Sequence, residues 1–410
     1  MPSTSLDPAR PAPALLRLPA PLAFALLAAV LFAFFFAASA PSPLFLVFQH
    51  DWGFSPALLT VAFAVYAIAL LASLLVAGSL SDHVGRRPVV LTALVLQAVA
   101  MGMFVLARGI GGLIAARIVQ GVATGIASGA LTAAVVEAAP AARKRLGALI
   151  SSVSPLAGLA AGALLTGTAV KLTAQPVLLV FGVLAAVFAA GALLLPFVPE
   201  SVTPRAGALA SLVPRVSIPV AARAEFLRGL PVLGAVWAMG GLFLSLAPSL
   251  LVNVFGVNDG IVNGLSVATL SGVGAVAPTL LGRFRPHRAA AIGMASFAFG
   301  LGLILLSLGT RSLALFFAGA AFAGLGFGAS FSALVQTLSP LARPHERAEL
   351  FAALFVASYL AFSVPAMLAG FFIAPLGLLA TVRTYAAVLI LLAIAGAWVQ
   401  WTASRKAEAR

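Results

Sequence analysis

The sequence of 410 residues contains no cysteine, so neither a disulfide framework nor a thiolate metal site can exist, and redox chemistry gets no support. Charge is also scarce: only 8% of residues are Asp, Glu, Lys or Arg, while 62% are hydrophobic, which excludes an ordinary water-soluble fold. The ten acidic residues, Asp7, Asp51, Asp82, Glu137, Glu200, Glu225, Asp259, Glu346, Glu349 and Glu408, fall in tails, loops or the ends of apolar runs. No carboxylate lies at the middle of a run. The four histidines, His50, His83, His287 and His345, are scattered over loops rather than spaced as metal ligands. No Gly-Lys-Ser/Thr phosphate loop is present, so direct drive by ATP within this chain is unsupported. No Ser/His/Asp arrangement falls inside an apolar run, and an enzyme reading has no residues to carry it.

What the chain has in abundance is long apolar sequence. A membrane-crossing helix needs about 20 apolar residues, because the hydrocarbon core is about 30 Å thick and each residue rises about 1.5 Å. Twelve such runs are predicted, at residues 22–48, 56–77, 88–107, 112–136, 146–168, 176–198, 229–252, 260–281, 289–309, 312–337, 348–373 and 377–402. Stretches such as Ala62 to Ala77 and Ala185 to Val198 are almost continuously apolar, which argues for helices and against barrel strands. The prediction is an all-α membrane protein of twelve transmembrane helices in two pseudo-symmetric six-helix bundles. Its parts are a tail at 1–21, bundles at 22–198 and 229–402, a central loop at 199–228 and a final tail at 403–410.

The formal net charge of +14 is explained by where the basic residues fall. Arg10, Arg17, Arg86, Arg87, Arg143, Lys144, Arg145, Arg205, Arg215, Arg223, Arg228, Arg283, Arg285, Arg288, Arg343, Arg347, Arg405, Lys406 and Arg410 share one side. Only Arg108, Lys171, Arg311 and Arg383 fall on the other. Basic residues in short loops stay on the cytoplasmic side, so a multi-pass protein of the inner (cytoplasmic) membrane with both termini inside is expected, and no nucleic-acid partner is needed to account for the charge. The halves repeat weakly at an offset of about 200 residues: Pro140 and Arg143 correspond to Pro340 and Arg343, and Gly78 to Arg87 has a degraded counterpart in Gly282 to Arg288. Repeated halves place a substrate site where they meet near mid-membrane.

Four segments carry candidate function. Between spans two and three stands Gly78-Ser-Leu-Ser-Asp82-His-Val-Gly85-Arg86-Arg87-Pro-Val-Val-Leu91, with a close-approach glycine, a carboxylate, a turn glycine and two fixed cations. Span four holds Leu113-Ile-Ala-Ala-Arg117-Ile-Val-Gln120-Gly121-Val-Ala-Thr124-Gly125 and closes on Glu137. An arginine inside a span is either a functional group facing a cavity or partner, or a side chain that snorkels to the interface, and both readings fit Arg117 here. Span five has Ser154-Pro155-Leu-Ala-Gly158 and then Gly162, a face suited to bending and close packing. Span one contains Ser39-Ala-Pro41-Ser-Pro43. Gln97, Trp237 and Asn253 are further cavity candidates, though packing between helices is the better account of any one of them.

These segments resemble the loop motif, the span-four motif and the span-five motif of the major facilitator superfamily, closest in pattern to its twelve-span drug:proton antiporter-like exporters. The resemblance implies the major facilitator fold and transport by alternating access. It implies that Gly78, Asp82, Gly85, Arg86, Arg87 and Glu137 form a cytoplasmic gate, and that Arg117 with Gln120 and Gly121 serves coupling or substrate binding. It also implies that Ser154, Pro155, Gly158 and Gly162 form a hinge and packing motif. Ser154 stands where the family has glycine, and the span-one carboxylate of many exporters is missing. The function expected is secondary active transport, with proton-coupled efflux of small amphipathic or hydrophobic compounds leading. An importer of a small anionic metabolite and a non-transporting membrane sensor are the alternatives. The expected partners are the lipid bilayer, a small-molecule substrate and protons, with a monomeric chain, no cofactor and no metal.

Overall fold

A computed structural model describes residues 17–140, 144–343 and 345–408, with side chains to Arg405. Asp7, Arg10, Arg143 and Arg410, and the side chains of Lys406 and Glu408, lie outside the described residues. Twelve helices are long and apolar enough to cross a membrane: α1 Ala20–Trp52, α2 Pro56–Ala77, α3 Arg86–Leu106, α4 Ile110–Ala138, α5 Lys144–Leu172, α6 Pro176–Phe197, α7 Val220–Asn253, α8 Gly260–Leu281, α9 Pro286–Thr310, α10 Leu313–Leu341, α11 Arg347–Leu376 and α12 Leu378–Arg405. No strand occurs among the described residues.

Local chemistry sets the ends of these helices. Pro56, Pro176 and Pro286 stand in the first turns of α2, α6 and α9, where the missing N–H costs nothing. Ser55 and Ser312 accept from the third residue beyond them, Leu58 and Leu315, and Asp259 accepts from Ile261 and Val262 at 2.9 and 3.2 Å. Gly53 closes α1 in the left-handed region at φ 65°. Pro41 starts the second half of α1 without ending the span.

α7 departs from the sequence-based boundary. It begins at Val220, nine residues before the predicted 229, so the last part of the expected loop 199–228 is helical. Ala222 and Phe226 are buried there against Leu334 and Leu338 of α10, and this apolar face propagates the helix although Arg223, Glu225 and Arg228 make the segment read as a polar loop.

The chain folds as two six-helix bundles. One core gathers α1 to α6 around Phe34, Phe104, Phe181 and Phe188, with Phe104 and Phe181 stacked at 4.3 Å. The other gathers α7 to α12 around Phe243, Phe297 and Phe316. Between them, α5 packs on α8 and α2 packs on α11. The α5–α8 contact has backbones touching: a methyl group on Gly167 would strike the carbonyl of Gly260, and one on Gly264 the carbonyl of Ala163.

Candidate functional site

The loop after α2 turns through Gly85, whose φ of 104° and ψ of 155° suit only glycine, and this turn delivers Arg86 to the first position of α3. The Arg86 side chain, 13% exposed, then gathers three acceptor residues. Nη1 donates to Ser81 at 2.7 Å and to Asp82 at 2.5 Å. Nη2 and Nε donate to the two oxygens of Glu137 at 3.0 and 3.4 Å. Such forked, charge-assisted contacts are the stronger class of hydrogen bond. The structure therefore brings Asp82, Arg86 and Glu137 together. Gly78 ends α2 with its carbonyl against Gly129 of α4. Arg87 turns the other way and donates to the carbonyl of Pro196 on α6 at 2.5 Å.

Glu200 and Ser201 belong to the same network, although sequence reasoning placed Glu200 only among loop acids. The Glu200 carboxylate accepts the backbone N–H groups of Arg86 and Arg87 at 2.8 and 2.9 Å, and Ser201 donates to Glu137 at 2.6 Å. α3 needs this help, because its own cap residue is Gly85, which has no acceptor to offer. The linker continues across the loop: Arg205 N–H donates to the His83 carbonyl at 2.7 Å and Ser79 to the Ser211 carbonyl at 3.1 Å. A cavity of about 380 Å³ opens beside Arg86, Arg87, Glu137 and Glu200, walled by α1, α4 and α6.

Arg117 does not reach an interface. It is 1% exposed, between α1, α2 and α4, so the snorkelling alternative is excluded. Its guanidinium donates to the carbonyls of Ala62 and Ala38, both at 3.3 Å, and to the Gln120 side chain at 2.8 Å, while Gln120 donates to the Ala37 carbonyl at 2.7 Å. The Tyr66 ring lies 4.4 Å away and Phe45 5.8 Å, in cation–π range. No carboxylate pairs with it among the described residues. Gly121 lets α4 approach the backbone of α2 at Tyr66 and Leu70.

The other candidates are dispersed. Gly158 and Gly162 face Phe32 to Ser39 and seat α5 against α1, with Ser154 buried and Pro155 half-buried in the same helix. Ser39 is fully buried and donates to the Leu159 carbonyl at 2.8 Å, so it ties α1 to α5 instead of lining a cavity. Pro41 is buried as well. Gln97 is fully enclosed in α3 with neither amide atom partnered, and Asn253 sits exposed at the end of α7, donating to Ser249. Only Trp237 stands among ring side chains near mid-membrane, edge-on to Tyr359 at 5.1 Å, Phe331 at 5.6 Å and Phe362 at 6.0 Å. Phe362 in turn meets Phe63 of α2 at 4.9 Å, across the bundle interface.

Polar links between the bundles are few and one-sided. Among the described residues they are Ser42 to the Leu244 carbonyl at 2.6 Å and Lys171 to Asp259 at 2.6 Å. Both lie in the half away from Arg86, as do the Gly167–Gly260 contact and the contact of Thr60 with Gly370. The Arg86 network stays within α2 to α4 and the linker.

No curated protein matches the sequence. The chain is similar in structure to the human organic anion transporter MFSD10 (TETRAN), at 18% identity and a TM-score of 0.65, over 93% of this chain and 100% of that one. It is likewise similar to a mutant of the nucleoside transporter NupG, at 12% identity and a TM-score of 0.69, with the same coverage. Residues 27–365 match the family model of the Major Facilitator Superfamily, and with the twelve-helix, two-bundle fold this shows that the chain belongs to that family of membrane transporters, not to an enzyme family.

Proposed function

We propose that this chain is a secondary active transporter that exports small, ring-bearing amphipathic compounds across the cytoplasmic membrane in exchange for protons, with the Arg86 end inside the cell. One observation supports the alternating-access part: among the described residues both polar links between the bundles lie away from Arg86, as expected of a state open toward the Arg86 end. The count of basic residues supports placing that end in the cytoplasm. Asp82, Arg86 and Glu137, with Glu200 and Ser201, then act as the cytoplasmic gate, holding the α2–α3 loop in one shape while the other bundle swings.

The aromatic group of Trp237, Phe331, Tyr359 and Phe362 supports an apolar or ring-bearing cargo. The solved transporters of similar fold are named for organic anions and nucleosides, which favours small organic molecules over inorganic ions. An anion importer that uses Arg117 as its contact is the weaker reading, because that guanidinium is already held by two carbonyls, Gln120 and two rings. With no carboxylate at mid-membrane, proton coupling rests on Asp82 and Glu137. The test is transport by purified protein in proteoliposomes. A pH gradient is expected to accelerate movement of ring-bearing compounds, and Glu137→Gln to remove that acceleration. Movement at the same rate with and without the gradient refutes proton exchange, and no movement of any compound refutes transport of this class.

A further inference from the structure

We infer that Lys171 and Asp259 form the gate of the end away from Arg86, an ion pair that holds the two bundles closed there and parts in each transport cycle. The assignment rests on the alternating-access reading above and names residues that lie outside the motifs carrying the family resemblance.

The pair joins the two halves. Lys171 lies in the last turn of α5, in the first bundle, and Asp259 caps α8, in the second; Nζ and Oδ2 are 2.6 Å apart. It sits beside a backbone-to-backbone contact between the bundles, where Gly167 meets Gly260 and where a methyl group on Gly260 would lie 3.2 Å from the Lys171 backbone nitrogen. The side chains are 48% and 28% exposed, so water reaches both when they separate.

The placement also makes the contact reversible. A cation at the C-terminus of a helix and an anion at an N-terminus are each favoured by the local dipole, so each charge keeps a partner after release. Asp259 accepts from Ile261 and Val262 of its own helix, which keeps its carboxylate satisfied in the open state. Hydrogen bonding from Lys171, and then from these N–H groups, holds the Asp259 carboxyl below the usual carboxylate range, so Asp259 stays ionised at physiological pH. The other polar link, Ser42 to Leu244, is a single neutral hydrogen bond and carries no such charge.

The absence of native cysteine makes the test clean. Ala366 of α11 is fully buried, between Phe362 and Gly370 on the face that meets Phe63 and Thr60 of α2, so Ala366→Cys reports opening of the interface. A membrane-impermeant maleimide is applied from the Lys171 side of oriented vesicles holding the full chain. Lys171→Gln and Asp259→Asn, the latter keeping the helix cap, are each expected to raise the labelling rate about two- to fivefold, the size appropriate to a partly exposed ion pair. The reversed pair Lys171→Asp/Asp259→Lys is expected to return it only part of the way, because it also removes the acceptor for Ile261 and Val262 and sets both charges against the helix dipoles. Labelling unchanged in the single variants overturns the assignment. Lys171→Cys/Asp259→Cys, bridged by a short thiol-reactive linker with a cleavable bond, separates this from the reading beneath it. If the bridged protein transports like the unbridged one, alternating access itself falls. If bridging stops transport and cleavage restores it while the single variants label like the parent, only the gate assignment falls.

Discussion

Removing the Glu200 carboxylate should loosen the start of α3 without touching any residue of α3. Glu200 supplies acceptors to Arg86 N–H at 2.8 Å and Arg87 N–H at 2.9 Å, the two donors at the head of a helix whose cap is a glycine. Loss of a capping acceptor costs about 1 kcal/mol, up to about 2. Loss of the negative charge at an exposed helix N-terminus adds about 0.3–1 kcal/mol. Glu200→Ala should therefore raise the local opening equilibrium by about 1.5–2 kcal/mol, a factor of about 10–30 in amide exchange at Arg86 and Arg87. Glu200→Gln keeps one acceptor oxygen and loses the charge, so it should show about half that free energy. Gly85→Ala provides the cross-check. It forces alanine into a glycine-only conformation at a cost of about 1–3 kcal/mol, and its methyl group would lie 2.7 Å from Glu200 Oε2. In the Glu200→Ala background the collision disappears and the backbone strain remains, so the double variant should be less damaged than the sum of the singles. Hydrogen exchange read by mass spectrometry on a peptide covering residues 80–92 measures all three. Unchanged exchange in Glu200→Ala, or equal exchange in the Ala and Gln variants, would falsify the capping account.

Other consequences follow from the same geometry. Arg117→Met should lower thermal stability by about 1–3 kcal/mol, since it leaves the Gln120 side-chain oxygen without a donor, and Arg117→Lys should recover only part, because an ammonium lacks the planar fork; a thermal shift series in detergent checks both. Gln97→Leu should hold or raise stability, by up to about 1–3 kcal/mol, because both amide atoms are buried without partners; a clear fall in melting temperature would show that they are bonded in the working protein. Asp259 has a lowered carboxyl pKa, so its contribution to the closed end is fully present above the ordinary value of about 3.9 and is lost only as pH falls through the lowered one. The labelling ratio of Asp259→Asn to parent should accordingly stay flat between about pH 5.5 and 8, and a ratio that drifts with pH in that window would mean another group titrates at the contact.

What the sequence exposed and what it hid divide along a physical line. Apolar length is local, so the twelve spans were legible, whereas Ser55, Asp259 and Ser312 emerge as caps only in the folded chain. The Gly78–Leu91 segment was legible for the same reason: its turn glycine, carboxylate and cations lie within a few residues of one another. Glu200 was not, because it satisfies donors 114 and 113 residues away, and no local pattern marks a helix whose cap comes from elsewhere. A glycine in the cap position of α3 was the one hint. Arg117 read two ways, because position along a span does not reveal which neighbours surround a side chain; the α1 and α2 carbonyls that hold it are known only from packing. The early start of α7 was masked by Arg223, Glu225 and Arg228, whose charges outweigh Ala222 and Phe226 in a hydropathy window but not in the folded contact with α10. Ser39 and Gln97 looked like cavity residues because polarity inside a span attracts that reading, yet one bonds a neighbouring helix and the other is enclosed.

The two halves keep the same construction at the Arg86 end but not the same chemistry, and this bears on where the transport cycle is controlled. In the first half a residue just past the sixth helix, Glu200, reaches the first turn of the third helix. In the second half Gln400, offset by 200 positions and near the end of α12, reaches the first turn of α9 at His287, with ring nitrogen and amide oxygen 2.8 Å apart. The equivalent elements thus meet in both halves, with an amide in place of a carboxylate, and the charged contact around Gly282 to Arg288 is Glu225, which pairs with Arg228 and lies 3.9 Å from His287 Nε2. The first half's loop is held by the forked contacts of Arg86 with Asp82 and Glu137, the second's by one amide contact and a more distant carboxylate, so the first is held the more firmly of the two. A bundle whose loop is stiff suits the role of fixed frame, and one whose loop is held by fewer contacts suits the moving part. On this argument Gln400→Glu, which places a carboxylate beside His287, should stiffen the α8–α9 loop and slow turnover more than it changes substrate affinity, whereas an effect on affinity alone would assign the asymmetry to cargo binding.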